Sequence, residues 1–231
     1  MRAHLSSIGR GLLSLVLPPA CPGCGCRLEG SPRPCHACTL QLAELFRRVP
    51  DRSDPAGPIA ALAYEEIARL LVHRMKYGGD RPAAEALADW MATRLTCGTG
   101  PDPATWLLPV PLHSVRLRER GFNQAERLAR GVARRTGLEV RTDILRRVRA
   151  GSSQTQLDHS ARSAVVAGAF IGRAGLGERP ILIVDDVWTT GATASACRSA
   201  LGADGATGPI GVLVAARTPS PFELETPREV C

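Results

Sequence analysis

At 231 residues the chain can bury one full hydrophobic core and carry a small appendage. Its 44% apolar content excludes a disordered polymer, and no stretch approaches the ~20 consecutive apolar residues that a membrane span needs. The formal charge of +7, from 29 basic and 22 acidic residues, suits polyphosphate ligands or nucleic acid without choosing between them.

Nearly every basic residue is arginine: Lys76 is the only lysine, and Asn123 the only asparagine. Arg2 and Arg10 followed by Gly11 to Leu17 outline a short signal peptide, but the apolar run is only about seven residues long and ends in Pro18-Pro19. Residues 5 to 17 are therefore expected to form an amphipathic helix packed on the domain, and the protein to be cytoplasmic. Five of the eight cysteines fall between residues 21 and 38, in Cys21-Pro22-Gly23-Cys24-Gly25-Cys26 and Cys35-His36-Ala37-Cys38. Two C-x-x-C pairs let four thiolates converge tetrahedrally, so zinc is expected on Cys21, Cys24, Cys35 and Cys38, with Cys26 and His36 as spares. Four thiolates close the coordination sphere and make the site structural. The alternative, a pair of disulfides, is disfavoured in a reducing cytosol.

Thr39 to Val49 reads as a helix with Leu42, Leu45, Phe46 and Val49 on one face, and 51–58 as a linker rich in Pro, Gly and charge. The expected division is an N-terminal helix and zinc-binding domain over 1–50, an α/β domain over 51–218 and a flexible tail over 219–231. Ile59 to Tyr64 suggests an edge strand, and Glu65 to Met75 a helix that stops at Lys76-Tyr77-Gly78-Gly79-Asp80. A lone lysine there fits a ligand site or a solvated helix C-terminus equally well. Arg81 to Leu95 makes a second helix and Trp106 to Val110 a buried strand. The loop from Pro111 to Gly121 crowds Arg116, Arg118 and Arg120 near the sheet edge, where guanidiniums would hold pyrophosphate, though any one of them fits a solvated loop. Phe122-Asn123-Gln124-Ala125 opens a helix to Arg135 that Asn123 is suited to cap. Val140 to Val148 is a mixed strand candidate, and 151–156 a mobile loop. Ile210 to Ala215 supplies a last buried strand.

The chain turns on Ile181 to Thr193. Ile181-Leu182-Ile183-Val184 reads as a buried parallel strand and Ala192 to Leu201 as the helix after it, so the segment between them faces the crevice at the strand's carboxyl end. Thr189, Thr190 and Thr193 offer hydroxyls, and Gly191 with Ala192 brings backbone amides to a helix N-terminus, which favours an anion. Asp185 and Asp186 repel phosphate, but they accept from a vicinal diol or hold a divalent cation shared with phosphate. A phosphate cradle beside diol acceptors describes a ribose 5-phosphate. The run resembles the phosphoribosyl pyrophosphate (PRPP) motif of type I phosphoribosyltransferases.

With the first cysteine pair, Cys35 and Cys38, Lys76 to Asp80, Val110-Pro111-Leu112, Arg120 to Ala125 and Gln154-Thr155, the chain as a whole resembles the ComF family of competence-associated, amidophosphoribosyltransferase-like proteins. That resemblance implies a type I phosphoribosyltransferase-like parallel sheet flanked by helices. It also implies PRPP or a related ribose phosphate as ligand with Mg²⁺, and partners in the DNA-uptake machinery. Lys76, Arg120 and Asn123 join Thr189 to Thr193 as expected ligand contacts, and Asp185 and Asp186 become the catalytic acids. Two positions depart from the family: Val165 stands where an Asn is common, and Trp188 where a smaller residue is usual. Purine enzymes place a carboxylate where this chain has Thr189, so the acceptor stays unnamed. The rival to a phosphoribosyltransferase is a non-catalytic PRPP- or nucleotide-binding module in DNA uptake. Direct nucleic-acid binding is permitted by the charge but disfavoured by an aromatic content of 4%.

Overall fold

The computed structural model describes residues 19–50, 57–97, 100–149 and 168–218. The helix expected at 5 to 17, most of the linker, the loop at 151–156, Val165 and the tail from 219 lie outside them. The described elements are α1 (His36–Arg47), β1 (Ile59–Ala63), α2 (Glu66–Gly78), α3 (Arg81–Thr96), β2 (Trp106–Pro109), α4 (Ser114–Arg120) and α5 (Gln124–Thr136). They continue with β3 (Glu139–Val140), β4 (Arg146–Arg147), β5 (Phe170–Ile171), β6 (Ile181–Trp188), α6 (Ala192–Ala203) and β7 (Ile210–Arg217).

Five strands form a parallel sheet in the order β1-β7-β6-β2-β3. A parallel sheet is covered on both faces, which is why β1, β6 and β7 read as nearly unbroken apolar runs. From β2 the chain moves outward to β3, whereas from the adjacent β6 it moves the other way to β7. Neighbouring strands whose connections leave in opposite directions open a crevice at their carboxyl ends, the usual ligand position in such sheets. Here the crevice lies between the loop after β2 and the turn after β6.

One face is covered by α5, which packs on β2 and β6, and by α3, which packs on β1, β7 and α5. Leu87 and Leu128 are fully buried there, each worth about 2 kcal/mol of transfer free energy. The helices approach closely at Gly131, where a Cβ would lie 2.5 Å from the Cβ of Ala88. Helix α6 lies on the side of the sheet that carries Ile183, Asp185 and Val187. A two-stranded antiparallel ribbon, β4 with β5, rests on α6 and is tied down by the Asp204 carboxylate, which accepts from the Gly172 amide at 2.8 Å. The apolar core also includes Cys21, Cys38, Leu42 and Leu45, so α1 sits directly on β1 and α2. Arg94 of α3 lies 3.7 Å over the Phe46 ring and donates to the Phe46 carbonyl, and Phe46 meets Trp90 with ring centroids 5.3 Å apart. Trp106 is held between the guanidiniums of Arg141 and Arg179, at 4.4 and 4.3 Å, and donates to Glu139. Among the described residues no helix is long and apolar enough to cross a membrane.

Four local readings of the sequence change. Helix α1 starts at His36 rather than Thr39, with Cys35 in the N-cap position, so Cys38 sits on its first turn. The arginine loop after β2 contains α4, which has no buried residue and hence no apolar periodicity to betray it. The strand candidate 140–148 resolves into β3 and β4, separated by a turn in which Asp143 takes two hydrogen bonds from Arg141. Strand β6 runs on through both acids to Trp188.

Gly131→Val should force α3 and α5 apart and cost about 2 kcal/mol, despite the better helix propensity of valine over glycine. Denaturant unfolding should show it as a lower midpoint, and an unchanged midpoint would mean the helices separate freely.

Candidate functional site

The turn after β6 builds the cradle. Gly191, at φ 76°, is the N-cap of α6 and offers no side chain to its first turn, whose amides therefore face outward apart from that of Ala192, bonded to Thr190 Oγ1 at 3.3 Å. A cleft is lined by Asp185, Val187, Trp188 and all five residues from Thr189 to Thr193. Gly191 also answers a second demand. A Cβ there would lie 2.5 Å from Trp188 Cζ2, because the indole fills the space beneath the turn.

Successive residues of a strand point to opposite faces, so the two acids part company. Asp186, 5% exposed, has Oδ2 2.9 Å from Lys76 Nζ at the end of α2, and among the described residues that ion pair is this oxygen's one partner. Burial works against the lysine charge, but Asp186 and then Asp185 outweigh it and hold Lys76 above the usual lysine pKa. Asp185 faces the cleft on the α6 side and accepts from the Asp186 amide at 2.8 Å. Burial, and then the adjacent Asp186 charge, push its carboxyl up to about 7 against the weaker pull of Lys76 and Arg147.

The motif from Lys76 to Asp80 is a helix-to-helix corner. Gly79 adopts φ 60° and its carbonyl accepts from Arg127 at 2.8 Å, while Asp80 caps α3 by accepting from the Ala83 amide. Lys76 is thus the member of that motif that reaches the acids. On the β2 side, Asn123 caps α5 by accepting from the Ala125 amide and donates to the Val110 carbonyl, both at 3.0 Å. Its amide is engaged at both ends and fixes the arginine segment to the strand. Arg120 donates to Gln124 at 2.8 Å and lies 5.5 Å from the ring of Tyr77, itself 70% exposed. The structure therefore brings Asp185 and Thr189 to Thr193 together around one cleft, sets Asp186 and Lys76 behind it, and leaves Arg120 and Asn123 at its β2 border.

Arg147 escaped the sequence reading. It is half-buried on β4, its charge faces Asp185 and Arg116, and burial pulls its pKa down. Among the described residues its one hydrogen bond is from Nε to the Arg149 carbonyl. The signal available was the alternation of a short strand, which two residues are too few to reveal.

At the other end of α2, the donor atoms of Cys21, Cys24, Cys35 and Cys38 lie within 4.8 Å of one another, with Cys24 and Cys35 sulfurs 3.6 Å apart. Burial raises the Cys21 thiol, but amides of Cys35, Cys24 and Gly23 outweigh it and bring it down to about 6. Cys38 is pushed up by burial and by Cys21 beside it. Four thiolates this close need a cation, and four convergent soft donors fit zinc. Cys26 and His36 stay outside the group.

No protein-family profile matches the chain. It is 33% identical over 179 residues to the DNA utilization protein YhgH of Salmonella typhi, covering 75% of this chain and 73% of that one. YhgH of Salmonella typhimurium is 31% identical over 176 residues, with the same coverage. Competence protein F of Haemophilus influenzae is 27% identical over 199 residues, covering 80% and 84%. Among solved structures, the allosteric regulatory enzyme of purine biosynthesis aligns with a TM-score of 0.40 and 20% identity, over 62% of this chain and 30% of that one.

Lys76→Met should cost about 3 kcal/mol or more, because it leaves Asp186 charged and buried; adding Asp186→Asn should return part of the loss. Equal stability of single and double variants in urea would remove the ion pair from the account. Asp185 carries the opposite sign. Its folded pKa of about 7 lies above the unfolded value of 3.8, so its contribution is full below pH 4 and is lost as pH rises to 7 and beyond. The stability of Asp185→Asn relative to wild type should therefore rise by about 4 kcal/mol between pH 4 and pH 8. A pH-independent difference would count against the raised pKa.

Proposed function

Since this chain belongs to the family of DNA utilization protein YhgH and competence protein F, we propose that its cleft binds PRPP or a related ribose phosphate and transfers the phosphoribosyl group. The observation that carries the reading is the cradle at the N-terminus of α6 with one carboxylate, Asp185, opening into the same cleft. Amides and hydroxyls from Thr189 to Thr193 hold the 5-phosphate, and Asp185 accepts from the ribose hydroxyls. Asp186 and Lys76 set the end of β6 from behind. Arg147 and the arginines of α4, among them Arg116 and Arg120, receive the pyrophosphate. Asp185 fits a site for Mg²⁺, since that ion takes one or two carboxylates and completes its shell from substrate phosphates and water. When bound, Mg²⁺ supplies positive charge to the leaving pyrophosphate.

In the transfer the bond from C1 to the pyrophosphate oxygen breaks with its electron pair leaving on pyrophosphate, and a nucleophilic acceptor forms the new bond at C1, releasing its proton. Charge builds on the ribose ring between the two events, so rate comes from holding both ends rather than from a covalent nucleophile. Residues 1–50, with zinc on Cys21, Cys24, Cys35 and Cys38, act as a metal-stapled support for 51–218 in the reducing cytoplasm. The relatives' names support a role in competence and DNA use, with partners in DNA uptake. A binding-only module is favoured by one observation. Thr189 offers no carboxylate to take an acceptor proton.

Calorimetry with PRPP, with and without Mg²⁺, tests the reading. Wild type should bind more tightly with Mg²⁺, and Asp185→Asn should weaken PRPP by roughly 2 kcal/mol while leaving inorganic phosphate unchanged or tighter. No PRPP binding would overturn the reading, and binding without pyrophosphate release across a panel of bases would favour the module.

A further inference from the structure

Helix α2 touches the thiol cluster with its first turns and the acids with its last. At Gly23 a Cβ would come within 2.7 Å of Cys38 Sγ and 3.1 Å of Ile67 Cδ1, so the first cysteine turn is seated between α1 and α2 with no space to spare. Farther along, Arg74 donates from Nη1 to the carbonyls of Pro22 at 2.7 Å and Cys21 at 3.3 Å. The carbonyl of the same residue accepts from Gly79 and, at 3.3 Å, from Asp80, which ends the helix. Lys76 lies inside that closed turn and meets Asp186 at 2.9 Å.

We propose that Arg74 is a positioning residue through which a metal on Cys21, Cys24, Cys35 and Cys38 sets the order of the last turn of α2, and with it Lys76, Asp186 and the ligand affinity of the cleft. The two carbonyls that hold Arg74 belong to a turn whose described ties are thiol-centred or local. Cys21 Sγ accepts from the amides of Gly23 and Cys35, and one isolated bridge, Ala20 with Arg27, closes its base. A segment so poor in regular structure takes its shape from the metal, as small metal-bound turns do. Losing that shape withdraws both acceptors from Arg74. Among the described residues the guanidinium then has no fixed partner, and the turn bearing Lys76 is held only by the corner at Gly79, the buried Met75 side chain and the Asp186 ion pair itself. Only the final link, from Lys76 to ligand affinity, rests on the reading of the cleft as a ribose-phosphate site.

The test uses the full chain and reads hydrogen exchange peptide by peptide, together with ribose 5-phosphate binding by calorimetry. Arg74→Ala should keep one zinc per chain, yet speed exchange at residues 75–79 about tenfold while leaving α3 unchanged. Stripping zinc from wild type with a chelator should speed the same amides similarly, and stripping it from Arg74→Ala should add little there, because both changes cut one connection. Arg74→Lys, which can still donate to a carbonyl, should restore most of the protection. Ribose 5-phosphate should bind roughly fivefold more weakly to zinc-loaded Arg74→Ala than to wild type. Unchanged exchange at 75–79 in zinc-loaded Arg74→Ala, or equal further loss when its zinc is removed, would overturn the coupling. If stripping unfolds the whole chain, the zinc-loaded variant decides alone. A wild type that binds no ribose phosphate would sink the proposed function while the exchange result still judged this one.

Discussion

Two adjacent carboxylates run through a strand that is buried on both faces, and most of the molecule is arranged around making that tolerable. Alternation sends Asp185 and Asp186 to opposite sides of β6, so Lys76 contacts Asp186 and reaches Asp185 only as a weaker, more distant charge. Lys76 neutralises Asp186 from α2, across the sheet from the cleft. Among the described residues Asp185 has no such ion pair, and burial with the neighbouring Asp186 charge raises its pKa to about 7. A charge left without a partner inside a protein is expensive, and it is most often kept where a ligand supplies the missing half. The cleft at the carboxyl end of β6 is where that half would arrive.

The same strand sets the rest of the site. Its end falls where the connections of β2 and β6 diverge, so the turn from Thr189 to Thr193 and the arginine segment after β2 face each other across a gap that the topology produces by itself. Asn123 then fixes the far wall, because its amide bonds both the α5 N-terminus and the last carbonyl of the β2 segment.

Much of this was legible in the sequence. The apolar run before Asp185, the Thr and Gly residues after it and the paired C-x-x-C spacings each follow a short-range rule, and the structure has a strand, a helix N-terminus and four convergent thiols there. Long-range partners were not legible. A lone lysine in an arginine-rich chain marked Lys76, but nothing near it in sequence names Asp186, 110 positions away. Helix α4 was missed because a helix with no buried face leaves no periodic trace. Arg147 was missed because its role comes from the antiparallel pairing of β4 with β5, which brings distant residues together. The Lys76 to Asp80 motif was flagged as a unit, yet Gly79 and Asp80 close a corner between helices and Lys76 alone reaches the acids.

The indole beneath Gly191 has an optical consequence. The chain has three tryptophans. Trp106 is clamped between two guanidiniums and Trp90 is packed on Phe46, both away from the cleft. Trp188 alone of the three lines the cleft, with its ring under Gly191 in the turn from Thr189 to Thr193. Intrinsic fluorescence therefore divides into two emitters set in packed surroundings and one at the mouth of the cleft, so the protein carries its own dye for whatever enters there.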